Sequence, residues 1–375
     1  MIMENKRLKF LKYQPKRDVV FVLGAGASHP DGVPLQRHIL PMIIEDKNGH
    51  IKNSLIGKQV LEFIDENFSY SSKEKIYPNL EAVFGFLDYF IQQNESLNAK
   101  YTNSKLREIK EFLIKLIHFV VNLETDKPSK YYHHFWEAVK KYNSNVSIIT
   151  LNYDTLLEHS FGFLFKNFGY IDYCFHFLNY DETNTKVKFA KWVNPREPIE
   201  VENDIEPVAI KILKVHGSLN WKYCNCCNQS LLTPWDRKID LDKGKFLGYT
   251  YPDNEEYEFT CPIDGTDFQT VIMPPSYVKS LNHPVTTQLL SEASREIRAT
   301  KKIVFIGYSL SDADVHVKAL FKKQKMDDIE VVVVNTKKEE ILRLNYYSLS
   351  KKITFIDCSF EDLVTNDELM KSLLI

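Results

Sequence analysis

The sequence predicts an α/β protein built on a Rossmann-like, doubly wound parallel sheet of about six strands, with a helical insertion and a small cysteine-containing module. Three observations carry that prediction. Short apolar runs rich in β-branched residues recur along the chain, of the kind buried on both faces of a sheet. In the second half these runs alternate with helical stretches. Two of them end directly in a glycine turn, a junction suited to a phosphate.

The first run, VVFVL at 19–23, leads at once into Gly24 and Gly26. A tight turn there needs free φ, and a missing Cβ lets backbone N–H groups approach a ligand. A helix is expected to open near Pro34, with its unpaired N–H groups facing the same place. Further strands are expected at 146–150, 210–215, 303–306, 329–334 and 353–356. Helices are expected at roughly 155–166, 285–299, 313–324, 337–347 and 360–373.

Two segments interrupt this alternation. Residues 40–140 carry helical periodicity, as in Leu80, Val83, Phe84, Leu87 and Phe90, and read as a helical insertion beside or over the sheet. Residues 170–280 hold strand–turn patterns and a cysteine cluster, and read as a small module with little regular structure of its own. The sheet domain is therefore assigned to 1–39, 141–169 and 281–375, together with the strand at 210–217.

The 375 residues suffice for one large domain with insertions or for two domains. A hydrophobic content of 44% with 26% charged residues belongs to a soluble globular chain, not a disordered one. The formal charge of -2 gives no electrostatic case for direct nucleic-acid binding or for adhesion to a membrane. The basic amino-terminal segment MIMENKRLKFLKYQPKRD lacks the apolar core of a signal peptide. No apolar run approaches the roughly 18 residues needed to span a bilayer. The expected location is cytoplasmic, with no membrane partner. Of the six cysteines, Cys224, Cys226, Cys227 and Cys261 cluster, while Cys174 and Cys358 stand apart. In a cytosolic protein such a cluster points to a metal rather than to disulfides.

Three constellations follow expected strands. In TLNYDTLLE (150–158), Asn152 and Asp154 leave a strand as a helix begins, and Thr155 and Glu158 are spaced like a capping box. Asn152 and Asp154 serve either as helix caps or as groups facing the crevice beside the glycine turn. In KVHGSLNW (214–221), His216 ends a strand and Gly217 permits a sharp turn. A structural role and a proton-transfer role both fit it, histidine being the side chain best able to take a proton near neutral pH. In VFIGYSLSDADVHV (304–317), Gly307 and Ser309 form a second phosphate cradle, and Asp312 is expected to cap the helix from 313.

The order of these motifs resembles that of the sirtuin-like NAD-consuming enzymes. GAGASHPDGVPLQR (24–37) is similar, without a gap, to the sirtuin pattern G-A-G-x-S-x-x-x-G-I-P-x-F-R. TLNYD resembles T-Q-N-x-D, and HGSLNWKYCNCC resembles the catalytic histidine followed by the first zinc-ligand pair. IGYSLSD is similar to the G-T-S-L phosphate loop, and VVVVN resembles the strand whose terminal Asn contacts the adenine-side ribose. FIDCSFEDL is similar to the segment that closes over adenine. The departures are specific. Gln36 replaces the Phe before Arg37, Leu151 replaces the Gln, and Asp264 stands where the fourth zinc cysteine would be. VIMPPSYVK (271–279) lacks the V-x-F-G-E that clamps an acyl-lysine peptide. With the helical insertion, these departures make the chain more similar to the SIR2-like NAD hydrolases of bacterial anti-phage defence.

The resemblance implies NAD+ as substrate. Gly24, Ala25, Gly26 and Ser28 would hold its pyrophosphate through backbone N–H groups, with Gly307 and Ser309 opposite and Arg37 neutralising a phosphate. Asn335 and Cys358 would lie on the adenosine side. Asp154 would accept from the nicotinamide carboxamide, Asn152 would orient the ribose or the attacking water, and His216 would act as base. Cys224, Cys227 and Cys261, with Asp264 or Cys226 as fourth ligand, would hold a structural Zn2+, an ion that accepts thiolates and carboxylate together. The implied activity is hydrolysis of the nicotinamide–ribosyl bond. The alternatives are a protein-lysine deacylase and a non-catalytic nucleotide-sensing subunit. An unrestrained NAD hydrolase would kill its host, and this chain carries no P-loop. The resemblance therefore implies a homo-oligomer that answers to a separate oligomeric ATPase or sensor protein, with the helical insertion as the candidate contact surface.

Overall fold

Runs of Val, Ile, Leu and Phe without a polar interruption cannot face water on either side, and they assemble here into a sheet covered on both faces. The computed structural model describes residues 6–375 apart from 124, 126, 167, 180–191, 203, 234–237, 250–255, 279–280, 282, 325 and 337–339. At its centre are β1 (Arg17–Leu23), β2 (Val146–Thr150), β3 (Gly169–Asp172), β4 (Val208–Lys214), β5 (Thr300–Ile306), β6 (Glu330–Val334) and β7 (Ile353–Ile356). These seven strands lie in the order β7-β6-β5-β1-β2-β4-β3. Every neighbouring pair is parallel. The strand beyond the expected six is β3, whose sequence GYID is too short and mixed to stand out as an apolar run. Among the described residues it pairs only with β4, at the sheet edge.

The chain begins in the middle of the sheet at β1, winds to one side through β2, β3 and β4, then crosses to lay β5 against the other flank of β1. That reversal opens a crevice beyond the carboxyl ends of β1 and β5, which end in register at Leu23 and Ile306. Both glycine turns leave from there.

Side-chain alternation assigns the two faces. Phe21 and its cross-strand partner Ile148 face the Lys130–Tyr142 helix, where the Phe21 and Phe135 rings meet edge-on at 5.1 Å. Ser147 points the other way, toward the Pro284–Arg298 helix, and donates to Glu296 at 2.5 Å. Glu296 also takes Arg17 at 2.8 Å and Lys211 at 2.7 Å, tying β1, β2 and β4 to one helix. Burial alone would raise the Glu296 carboxyl, but Lys211, Ser147 and Arg17 together hold it below the ordinary glutamate value.

Between β1 and β2 run the helices Gln36–Glu45, His50–Asn53, Leu55–Asn67, Leu80–Gln93 and Asn103–Asn122, before Lys130–Tyr142. The 170–280 segment has more regular structure than expected. Gly217–Tyr223 is the middle strand of an antiparallel sheet between Gln269–Ile272 and Ser230–Leu232. Lys238–Asp240, Lys245–Tyr249 and Glu256–Glu258 form a second one. Strands of three to seven residues leave little periodicity to read.

Helix ends differ from expectation for local reasons. The chain already makes a helical turn at Ala25–Ser28, and the next α-helix starts at Gln36. The helix expected at 360–373 is two, Phe360–Thr365 and Asp367–Leu374. Asn366 breaks it with an extended conformation (φ -100°, ψ 100°), and its side chain accepts from the Leu369 N–H. The helix expected from 313 begins at Val315, with Asp314 rather than Asp312 at the cap position, and Asp312 pairs with Lys318. The capping box expected at 155–158 does not form: Thr155 makes no side-chain capping bond, and the Glu158 side chain turns inward to Lys214 at 2.9 Å. Of the expected helix at 337–347, residues 340–347 are helical and 337–339 lie outside the described residues. Among the described residues, no helix is long and apolar enough to cross a membrane.

Candidate functional site

A cavity of about 560 Å³ opens where the strand ends converge. Gly24, Ala25, Gly26 and Arg37 line it from the turn after β1, and Asn152 and Asp154 from the turn after β2. His216 reaches it from beyond β4, Gly307 and Ser309 from beyond β5, Asn335 from beyond β6 and Cys358 from beyond β7. Ser28 does not line it. Its hydroxyl is buried behind the wall, 2.9 Å from the Tyr132 hydroxyl and 3.0 Å from Asn152 Nδ2.

The two glycine turns touch. A Cβ on Gly24 would lie 2.6 Å from the Tyr308 Cα, and one on Gly26 would lie 2.7 Å from the Gly307 Cα. Gly307 itself has φ +60°. These glycines therefore let two loops meet backbone to backbone. The contact also consumes donors that the resemblance assigned to a pyrophosphate. The Gly24 N–H goes to the Ile306 carbonyl at 3.0 Å, Gly26 to Gly307 at 2.9 Å, and Gly307 to Val334 at 3.0 Å. The Ala25 N–H, at the amino end of the helical turn, has no carbonyl partner among the described residues. It remains on the lip with the exposed Ser309 hydroxyl.

Asn152 Nδ2 also donates to the Gly24 carbonyl at 3.0 Å, locking the turns after β1 and β2 together. Asp154 is buried and accepts the Leu156 N–H at 3.2 Å while bordering the cavity, so the capping and cavity readings both hold for it. Behind it, Lys214 donates to the Asp154 carbonyl and pairs with Glu158 in the protein interior. Burial pushes the Glu158 carboxyl up against the opposing pull of Lys214. Burial likewise keeps the Tyr132 hydroxyl protonated, far above its usual range. Sequence reasoning missed Lys214, although a lysine closing an apolar strand opposite a helical glutamate is a readable signal.

Gly217 has φ +86°, and a Cβ there would meet the Val271 carbonyl oxygen at 1.8 Å, so only glycine lets the chain turn back directly after His216. The His216 carbonyl accepts the Met273 N–H at 2.8 Å, which fixes its backbone. Its Nε2 stands 3.1 Å from Nε2 of His316 and 3.6 Å from Oδ1 of Asp314. The Tyr308 hydroxyl donates to Oδ2 of the same Asp314 at 3.0 Å. Neither Asp314 nor His316 was singled out from the sequence. Both lie in the DADVHV stretch just past the glycine loop, where polar residues alternate with small apolar ones.

On the cavity wall beyond β6, Asn335 Nδ2 donates to the Tyr308 carbonyl at 3.1 Å. Arg37 is exposed at the rim, its Nε 3.2 Å from His38. Gln36, at the position of the sirtuin phenylalanine, bonds Glu81 of the Leu80–Gln93 helix, and both line the cavity.

The cysteine cluster is a separate place in the fold. Ligand atoms of Cys224, Cys227, Cys261 and Asp264 all lie within 4.8 Å of one another. The Cys227 and Cys261 sulfurs are 3.7 Å apart, and Cys224 Sγ is 3.3 Å from Asp264 Oδ2. Tetrahedral coordination with Zn–S bonds of about 2.3 Å would put sulfurs about 3.8 Å apart, so the set fits a structural zinc. Cys226 is exposed and outside this group, which makes Asp264 the candidate fourth ligand.

A family model described as a SIR2-like domain matches residues 146–356. No curated protein matches the chain. Among solved structures, a mutant Sir2 homologue in complex with 2'-O-acetyl ADP ribose is 13% identical, with a TM-score of 0.47, covering 96% of this chain and 92% of that one. A Sir2 homolog–NAD complex is also 13% identical, with a TM-score of 0.46, covering 96% of this chain and 90% of the other.

Proposed function

The chain belongs to the SIR2-like domain family, and from that premise we propose that it hydrolyses the nicotinamide–ribosyl bond of NAD+, releasing nicotinamide and an ADP-ribose product. What supports the reading is one cavity shared by both glycine turns, Asn152, Asp154, His216, Asn335 and Cys358. Its volume of about 560 Å³ lies in the range of small-molecule and cofactor sites.

The pyrophosphate lies on the lip formed by the Ala25 N–H and the Ser309 hydroxyl, with Arg37 at the rim. The adenosine half runs toward Asn335 and Cys358, and the nicotinamide half toward Asp154. Cleavage builds positive charge on the ribose in an oxocarbenium-like transition state, and nicotinamide leaves as a neutral ring. Little acid catalysis is needed. Asp154, with Oδ1 engaged by its own helix, offers Oδ2 to the carboxamide. Asn152, its Nδ2 committed to Gly24 and Ser28, offers Oδ1 to a ribose hydroxyl or the attacking water. The His216 and His316 Nε2 atoms stand 3.1 Å apart, within reach of sharing one proton. His216 acts as base when that proton resides on His316. Such base catalysis is worth about 10²–10⁴ in rate, or ~3–5 kcal/mol. The cellular setting we infer is NAD+ depletion in anti-phage defence, under control of self-association or a separate protein.

The test is nicotinamide release from NAD+ by the purified chain, with any activator it requires. His216→Ala and Asn152→Ala should each abolish release. Turnover that depends on an acylated peptide would assign deacylation instead, and NAD+ binding without turnover would assign a sensing subunit.

A further inference from the structure

We propose that His216, Asp314 and His316 form a second metal centre, a three-ligand site for a divalent transition ion such as Zn2+ in the wall of the cavity. Their ligand atoms all lie within 4.8 Å of one another. Two edges of the triangle, 3.1 Å between the imidazole Nε2 atoms and 3.6 Å from His216 Nε2 to Asp314 Oδ1, bracket the geometry one ion requires. Bonds of about 2.0–2.2 Å to nitrogen and oxygen in a tetrahedral arrangement put ligand atoms roughly 3.3–3.6 Å apart.

The chemistry and the surroundings agree with this. Two imidazoles and one carboxylate favour zinc and its transition-metal neighbours over magnesium or calcium. The Tyr308 hydroxyl holds Oδ2 of Asp314 and so presents Oδ1 to the ion, the kind of outer contact that orients metal-ligating carboxylates. The ring of His216 is positioned by the turn at Gly217 and the Met273 bond. His216 and Asp314 both line the cavity, which leaves the fourth coordination position open to it. The site differs in kind from the thiolate cluster at Cys224, Cys227 and Cys261.

A consequence follows that rests on His216 being the base of the reaction. An ion on Nε2 occupies the lone pair that would take the proton, so a filled site silences turnover.

The test titrates Co2+ into full-length protein whose cysteine cluster has first been saturated with Zn2+. One further equivalent should bind with the visible absorption of nitrogen and oxygen ligation and without a thiolate charge-transfer band. His316→Ala and Asp314→Asn should each weaken that equivalent at least tenfold while the zinc at the cysteines stays in place. His316 is only partly buried, so its variant should keep the wild-type circular dichroism. Absence of the second equivalent, or binding unchanged in His316→Ala, would overturn the site. In the activity arm, Zn2+ added beyond the first equivalent should suppress nicotinamide release in wild type; binding without suppression would overturn the silencing. If protein with this second site left empty releases no nicotinamide and yet binds the second Co2+ equivalent, the catalytic reading fails and the metal site stands.

Discussion

Replacing Gly24 by alanine isolates the contact on which the cavity is built. Gly24 has φ -103°, which any residue adopts, so the backbone itself is not strained by the change. The obstacle is space. The new methyl would lie 2.6 Å from the Tyr308 Cα and 2.7 Å from the Gly307 carbonyl oxygen, and neither is a flexible side-chain end. Restoring ordinary contact at 3.4 Å requires the two loops to part by roughly 0.8 Å. Overpacking of this kind costs about 1–3 kcal/mol, which for a chain of this size lowers Tm by about 1–4 °C. The same parting breaks the registry of the two glycine loops that line the cavity, so on the proposed reading NAD+ affinity should fall at least tenfold, about 1.4 kcal/mol. Gly162→Ala is the control. Its Cβ meets nothing within 4 Å on the Leu156–Leu164 helix, and it should stabilise the protein by about 0.5–1 kcal/mol. Thermal unfolding and calorimetric NAD+ titration of both variants check this. A Gly24→Ala protein that matches wild type in both would refute the claim that the loops' backbone contact shapes the site.

Two further outcomes are expected. Glu296 is held below the ordinary carboxylate value of 4.5, so its stabilisation is fully present above pH 4.5 and is lost as pH falls through its lower folded value. Glu296→Gln should cost about 3–5 kcal/mol near neutral pH by stranding Arg17 and Lys211, and urea unfolding should show the gap narrowing in acid. A gap that stays constant with pH would contradict this. Metal analysis should find one zinc per chain at the cysteine cluster and none there after Cys261→Ala, with loss of the antiparallel module's protection from hydrogen exchange, because structural zinc contributes roughly 10–16 kcal/mol in isolated zinc peptides. A chain free of zinc yet fully protected would count against a structural role.

How much was legible in the sequence follows from the range of each interaction. Runs such as VVFVL and VSIIT declare buried parallel strands because burial on both faces selects β-branched and apolar residues and admits a polar one only with a partner, as Ser147 has in Glu296. The order of the turns after them determined the family and most of the cavity wall. Short or mixed segments carried no such mark, and β3 went unseen because four residues at a sheet edge need only one partner. The capping box expected at 155–158 is absent, and the Glu158 side chain meets the distant Lys214 instead of its own helix end.

What the linear order alone determined is six of the seven strands of the central sheet, the glycine turns and the polar residues that leave those strand ends, since these depend on neighbours in the chain. Only the tertiary structure decided which glycine N–H groups are already spent, that Ser28 sits behind the wall, that Asp264 and not Cys226 completes the cysteine cluster, and that His316 meets His216 from 100 residues away. Hydrogen bonds and metal geometry act over about 3 Å in space, and separation along the chain does not measure that distance.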